Sequence, residues 1–508
     1  MVYPGHPSRG CFACRRKKVK CDETKPQCNR CTRVGKVCPG YRSESEISFK
    51  YVKIRERDHS DAANHHTNQN EGALILPIYG PLSDDDSSSS PSHRTRESSS
   101  ETIDMPFFQP LQQPWTHLAL PLFINLFTTS LGRDSKQGLL TFLPRLYRGS
   151  TSDSPLQLAV SAATDANAVR KLTDHEAIFQ ARRSHVQALV AVQKAIENPK
   201  TATNDTTLCS LFILTLFEYI SGDTMIAHGS HIAGYEALLD LRSRDIDSES
   251  QEYALDLAVA TQIVVKHMRT RTLPSPRTIE IFETLNKYDP STVVVQINLK
   301  VIQFNNYSDT VLERTEHTEV ETQAVDLHDL IMLGERIDDQ AHIWPGTDES
   351  LYLYQTVNAP LSGWARPFYV YETLAVANDW NLVRCARISL SLSIIKCCRS
   401  LFKTGYMHLE ADNALQRAKS TITTMLEDIV ASFPYCLGKG DAKWNLPVSG
   451  IGTSGFALLW PIGVLLRCGY ATPEQIESAL QMLDYIGGPL GLQRAIVLKQ
   501  AWASGDFR

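Results

Sequence analysis

Six of the twelve cysteines lie within a span of 28 residues: Cys11, Cys14, Cys21, Cys28, Cys31 and Cys38. Their spacing, C-x2-C-x6-C-x6-C-x2-C-x6-C, is a tandem repeat, because CFACRRKKVKC and CNRCTRVGKVC share the same intervals at an offset of seventeen residues. Disulfides would explain an even count in a small exported protein, but a reducing compartment opposes them, and a thiol-redox motif needs only one C-x-x-C. The doubled pattern points to metal. Zinc takes four ligands in a tetrahedron and suits thiolate. Six thiolates exceed one such site and fall two short of two separate sites; two sulfurs bridging both ions would close the count. Two Zn²⁺ with six thiolates still carry a charge of −2, so nearby cations help keep the thiols ionised. The cluster also replaces a core, since so short a segment cannot bury enough apolar surface to fold alone.

The cations are at hand. Five of the six residues from Arg15 to Lys20 are basic. Residues 1–42 hold eleven Lys/Arg against only Asp22 and Glu23, a net +9, so in a chain of total charge −5 the other 466 residues carry −14. A compact basic end on an acidic body suggests a polyanion-binding module. A charge run by itself is usually a solvated face. Between metal ligands it is expected to become a short rigid helix with a positive face. Phosphate contacts would then give affinity and register, and lysine or arginine against guanine O6 and N7 in the major groove would give sequence preference.

About residues 8–42 resemble the fungal Zn2Cys6 binuclear-cluster DNA-binding domain, with Arg15, Lys17, Lys18 and Lys20 at its basic positions and Pro26 in the loop DETKPQ. The resemblance implies two Zn²⁺ with Cys11 and Cys28 as bridges. One ion would take Cys11, Cys14, Cys21 and Cys28; the other would take Cys28, Cys31, Cys38 and Cys11. It implies a small module of two short helices in which Lys17 and Lys18 read a CGG triplet of double-stranded DNA in the major groove. Lys18 is the first choice for the base contact; Arg15, Arg16, Lys20 and Lys36 are assigned to phosphates, and Val19 to packing against the second half-module. The expected protein is a nuclear transcription factor for RNA polymerase II genes, not an enzyme, regulating a metabolic or biosynthetic pathway. The basic run would also serve nuclear import. The alternatives are a small-molecule receptor whose zinc module serves only targeting or protein interaction, and a metal-handling protein.

The elements beyond must position this reader. SESEISFKYVKIRERD holds one heptad of apolar residues, Ile47, Tyr51 and Ile54, before Asp58 and Asp61. A coiled coil needs three or four heptads, so a homodimer would rest on the C-terminal region. Residues 43–104 read as a largely disordered linker, with SDDDSSSSPSHRTRESSSE as its clearest low-complexity piece.

From about residue 105 to 508 the pattern is helical, and a large all-α domain is expected. Thr173-Asp-His-Glu176 reads as a capping box opening a helix with Ile178, Ala181, Val186, Leu189, Val192 and Ile196 on one side. Thr472-Pro-Glu-Gln475 repeats that logic. Further helices are expected near 115–131, 155–170, 205–220, 224–242, 250–268, 370–403, 412–432, 454–468 and 488–503. Val295, Ile297, Leu299 and Val301 alternate with polar residues and predict a strand. Thr207–Ile220 and Gly455–Cys468 are too short to span a bilayer and are interrupted by Glu218 or Pro461. They read as buried helices, and with no signal-peptide core at the N-terminus an intracellular protein without membrane attachment is expected.

WTHLALPLFINLFT and LCSLFILTLFEYISGDTMIAHGSHIAGYEALLDLRS resemble the regulatory domain of fungal-specific transcription factors. That resemblance implies a helical array used for regulation, contact with the transcription machinery or a dimer partner, and in some cases an effector. No G-x-S-x-G, H-E-x-x-H or P-loop is present. His228 and His231 share a helix face, a spacing that more often serves hydrogen bonding than metal. The late cysteines read as apolar packing residues, and Trp364, Trp380, Trp444 and Trp460 as core, with a ligand pocket as the rarer use.

Overall fold

The computed structural model describes residues 14, 19, 21–22, 24, 28–34 and 38 near the N-terminus, then 116–128, 140–169, 175–222, 230–242, 253–288, 292–314, 319–343, 354–358, 364, 366–405, 409–438 and 449–505. The chain divides into two units, Met1–Pro106 and Phe107–Arg508. In the first, the described regular element is α1 (Asn29–Arg33). The 43–104 linker lies outside the described residues.

The second unit is a helical array with one β-hairpin. Its first half comprises α2 (Thr116–Phe127), α3 (Leu143–Arg148), α4 (Pro155–Val169), α5 (His175–Glu197), α6 (Asp205–Ser221), α7 (Ser230–Leu241), α8 (Tyr253–Thr270) and α9 (Pro276–Tyr288). Then come α10 (Val293–Arg314), α11 (Val320–Ile343), the strands β1 (Tyr354–Val357) and β2 (Phe368–Tyr371), α12 (Leu374–Lys403), α13 (Leu409–Cys436), α14 (Ile451–Arg467), α15 (Pro473–Gly487) and α16 (Arg494–Ser504).

Two helices organise the core. α6 is buried on nearly every side, with Leu208, Phe212, Ile213, Leu214 and Leu216 all inside, so it sits within the first half with α4, α5, α7 and α8 against it. Gly222 ends it at φ 67°, and a Cβ there would fall 2.6 Å from Gln493, so both the left-handed turn and the close approach require glycine. α12 organises the second half, packing against α10, α11, α13 and α14. The buried Arg242 at the end of α7 joins Asp205 and Asp256, in the first turns of α6 and α8, at 2.9 and 2.6 Å. Both acids are well placed for those helix dipoles. No helix among the described residues is long and apolar enough to cross a membrane.

The expected strand at Val295–Val301 is instead part of α10. One of its buried rows runs Val294, Asn298, Val301, Asn305 and Ser308, a helical period hidden because polar residues occupy three of the five, while Val295, Ile297 and Leu299 are buried beside it. Each polar residue of the row is paired: Asn298 donates to the Val294 carbonyl at 2.8 Å, Asn305 to Ser389 Oγ at 2.9 Å, and Ser308 to the Asn305 carbonyl at 2.8 Å. Tertiary packing overrides the β-branched run.

The stripe on α5 also differs. Ala181, Ser184, His185, Ala188 and Val192 are buried, whereas Val186 is 57% and Ile196 39% exposed. The small residues let α5 approach α4 closely, and His185 stacks on Phe217 at 4.0 Å. Thr173 lies outside the described residues. The Thr472 capping box is formed: Thr472 Oγ1 accepts from the Gln475 amide at 3.3 Å, and Gln475 Oε1 accepts from the Thr472 amide at 2.9 Å. The two apolar stretches at 207–220 and 455–468 are buried helical segments, mainly of α6 and α14. Where the predicted helix 370–403 begins, the chain is still extended. β2 pairs antiparallel with β1, Tyr354 opposite Tyr371 and Val357 opposite Phe368, and Thr373 caps α12 by accepting from the Val376 amide at 3.2 Å.

Candidate zinc centre and nucleic-acid interface

The zinc module is built around Cys28. It is the N-cap of α1, its backbone extended, and its Sγ accepts from the Cys31 amide at 3.3 Å. A donated N–H favours the thiolate over the thiol. Cys-x-x-Cys therefore does two things: it starts a helical turn, and that turn brings both sulfurs to one side. Asp22 fixes the entry to this turn, its Oδ2 accepting from the Asn29 amide at 2.9 Å and from Thr24 at 3.3 Å. The Asn29 side chain closes the loop by donating to Thr24 Oγ1 at 3.1 Å. Sequence reasoning counted Asp22 only as negative charge; a carboxylate shortly before a C-x-x-C turn was the available signal.

The sulfurs of Cys14, Cys28 and Cys31 lie within 4.8 Å of one another, and all three residues are buried. Cys21, Asp22 and Cys28 form a second such group, so Cys28 is common to both. Cys38 is buried in the same cluster and Cys21 packs on it. Cys14 Sγ and Cys28 Sγ stand 3.8 Å apart. A tetrahedron of sulfurs around zinc, with Zn–S about 2.3 Å, has an edge of about 3.8 Å. That distance is far above an S–S bond of about 2.05 Å, so the donor set fits zinc and not a disulfide.

Of the basic residues assigned to DNA, Arg15, Arg16, Lys17, Lys18, Lys20 and Lys36 lie outside the described residues, as does Cys11. The residues flanking the run are described. The Val19 amide donates to the Cys14 carbonyl at 3.0 Å. Val19 is 36% exposed.

Elsewhere, His231 lies 2.9 Å from Glu218, a carboxylate the sequence did not place beside it, while His228 is outside the described residues. Cys209, Cys385, Cys397, Cys398 and Cys436 are buried, and burial pushes their thiols up, to about 12 for Cys397 and Cys398 and about 11 for Cys436. They are inert packing residues, unlike the N-terminal six. Trp364 and Trp380 pack against the core, and Trp460 lines a cavity. Trp444 is outside the described residues.

Residues 9–46 match the fungal Zn(2)-Cys(6) binuclear cluster domain, and residues 115–332 match the fungal specific transcription factor domain. The chain is 56% identical over 32 residues to Transcriptional regulatory protein moc3 of Schizosaccharomyces pombe, 6% of each chain. It is 47% identical over 51 residues to White-opaque regulator 2 of Candida albicans, 10% of this chain and 11% of that one. It is 41% identical over 54 residues to the phomenoic acid biosynthesis cluster-specific transcriptional regulator of Leptosphaeria maculans, 10% of each. The chain thus matches about a tenth or less of the length of these relatives. No solved structure matches it. The N-terminal domain is of a kind that binds two zinc ions, and the relatives are regulators rather than enzymes. With a cysteine cluster of zinc dimensions ahead of a large helical domain, the chain carries the zinc-cluster and fungal specific transcription factor domains and is similar to fungal transcription regulators.

Proposed function

We propose that this regulator is a sequence-specific DNA-binding transcription factor. It acts in the nucleus on CGG-containing promoter elements of RNA polymerase II genes. Residues 8–42 are the reader, 43–104 the tether and 105–508 the regulatory domain. Cys11, Cys14, Cys21, Cys28, Cys31 and Cys38 hold the two ions, with Cys11 and Cys28 shared. Bound zinc supplies cross-links in place of an apolar core.

The observation that carries the reading is the place of the basic run. Arg15–Lys18 stand between Cys14, in the buried sulfur cluster, and Val19, bonded back to the Cys14 carbonyl. Lys17 and Lys18 reach guanine edges, with Lys18 the principal base contact. Arg15, Arg16, Lys20 and Lys36 hold phosphates and set the register. A relative named for a biosynthesis cluster supports control of one biosynthetic pathway, and the large helical domain is the place for homodimer contacts and for the transcription machinery.

The test titrates the full chain onto a CGG-containing duplex and a scrambled duplex across a salt series. Four phosphate contacts predict a slope of log K against log salt of about −3.6. The CGG duplex should bind at least 10³-fold more tightly, the lower end for specific readers. Equal affinity for both duplexes overturns the reading.

A further inference from the structure

Five helices meet around one cavity of about 130 Å³ in the helical domain: α6, α8, α12, α14 and α16. Its wall carries two kinds of group that a protein interior seldom leaves together. One is apolar and aromatic, with Trp460 and Phe456 from α14 and Leu382 from α12. The other is polar and unengaged. Gln262 is only 8% exposed, lines the cavity, and has no hydrogen-bond partner among the described residues. Asn378 lines it likewise without one. Asn378 is only half-buried, and both amides keep donors and acceptors available to a ligand or water in the cavity.

Three guanidiniums border the same space: Arg269, Arg467 and Arg494. Among the described residues neither Arg269 nor Arg494 has a carboxylate within ion-pairing distance, and the cavity lining holds no Asp or Glu. Glu218, whose charge acts on Arg494, faces His231 at 2.9 Å. Desolvation and the neighbouring Arg269 charge hold Arg467 below the usual guanidinium range, and Arg494 is lowered by burial and by the same neighbour. Arg467 also stands 5.8 Å from the Trp460 ring centre. Arg269 and Arg467 are exposed and Arg494 is half-buried, so the three form a positive rim to the cavity whose mutual repulsion an anion would relieve.

We propose that this cavity binds a small carboxylic acid with an apolar body. The carboxylate would meet Arg494 and Arg269, and the body would lie against Trp460 and Phe456. A cavity of about 150 Å³ holds benzene, so the body has at most about that size. Gln262 and Asn378 supply further donors, which suits an acid bearing a second oxygen. The floor connects onward: Asn381, which also lines the cavity, accepts from buried Arg384 at 3.0 Å, and Arg384 donates to Tyr371 of the β-hairpin at 2.8 Å. The site is independent of the DNA reading, and either proposal can fail alone.

Isothermal titration of the full chain with benzoate, isovalerate and glutarate tests it, with the neutral amide of each acid that binds as control. Saturable binding by at least one acid is expected, with its amide at least tenfold weaker. Arg494→Gln at the mouth should weaken binding about tenfold or more, as loss of a charge-assisted pair requires. Gln262→Met, which keeps the volume, should weaken it several-fold; circular dichroism and melting of each variant establish that it folds. Absence of saturable binding by all three acids, equal binding of acid and amide, or unchanged binding in both folded variants would overturn the proposal.

Discussion

Nη1 of Arg384 donates to the Tyr371 hydroxyl at 2.8 Å, joining a fully buried cation on α12 to the β-hairpin. The guanidinium carbon lies 5.3–5.8 Å from the ring centres of Tyr354, Tyr369, Tyr371 and Trp380. Asp428 stands 3.8 Å from Nε and accepts from Tyr369 at 2.7 Å. The aromatic faces thus offset part of the desolvation that guanidinium Nη2 and Nε, which lack hydrogen-bond partners, would otherwise suffer. Desolvation opposes the charge, but Tyr371 and Asp428 outweigh it and raise the Arg384 pKa.

Arg384→Ala should therefore cost about 3–5 kcal/mol, because it opens a cavity and removes the counter-charge of Asp428. Arg384→Met, which keeps most of the volume, should cost clearly less. Denaturant midpoints of the two variants decide this, and equal losses would mean that packing is not the distinguishing factor.

Zinc content should be close to two per chain in the wild type by metal analysis. Cys28 is common to both candidate ligand groups, so Cys28→Ser should lose both ions, and DNA binding with them. A wild-type value of one would refute shared thiolates.

Lys18→Ala should weaken binding to a CGG duplex by about 1–3 kcal/mol and leave unrelated DNA almost unaffected. Lys20→Ala should weaken both alike and reduce the salt slope by about one. Competition binding at two or more salt concentrations separates the two roles.

Glu236 on α7 supplies a pH dependence. Its carboxylate meets Lys266 at 2.8 Å, His267 at 3.1 Å and the Ser275 amide at 2.8 Å. Desolvation opposes ionisation, but the hydrogen bonds from His267, Lys266 and Ser275 outweigh it and bring the pKa down to about 2. A carboxylate depressed in the folded state contributes stability that is fully present above its unfolded value of 4.5, and loses it as pH falls toward 2. The span corresponds to roughly 3 kcal/mol. Glu236→Gln should lower unfolding free energy at neutral pH by up to that amount and flatten its decline between those two pH values.

The zinc chemistry was legible in the sequence because ligand number and spacing are local quantities. Two C-x-x-C pairs seventeen residues apart leave little choice of metal, and charge counting alone separates a basic end from an acidic body. Helices with caps or strong apolar periods, such as α6 and α15, were equally plain. What escaped were features whose meaning depends on distant partners. The buried face of α10 was concealed because Asn305 finds Ser389 and Ser393 on α12, more than eighty residues away. α5 buries small residues and exposes Val186, since closeness to α4 mattered more than hydrophobicity. The hairpin, the Arg384 box and the arginine-bordered cavity bring together groups from across the chain, and neither composition nor period records such meetings. Local covalent spacing decided the metal; only long-range packing decided which charges were buried and which polar groups were left facing a cavity.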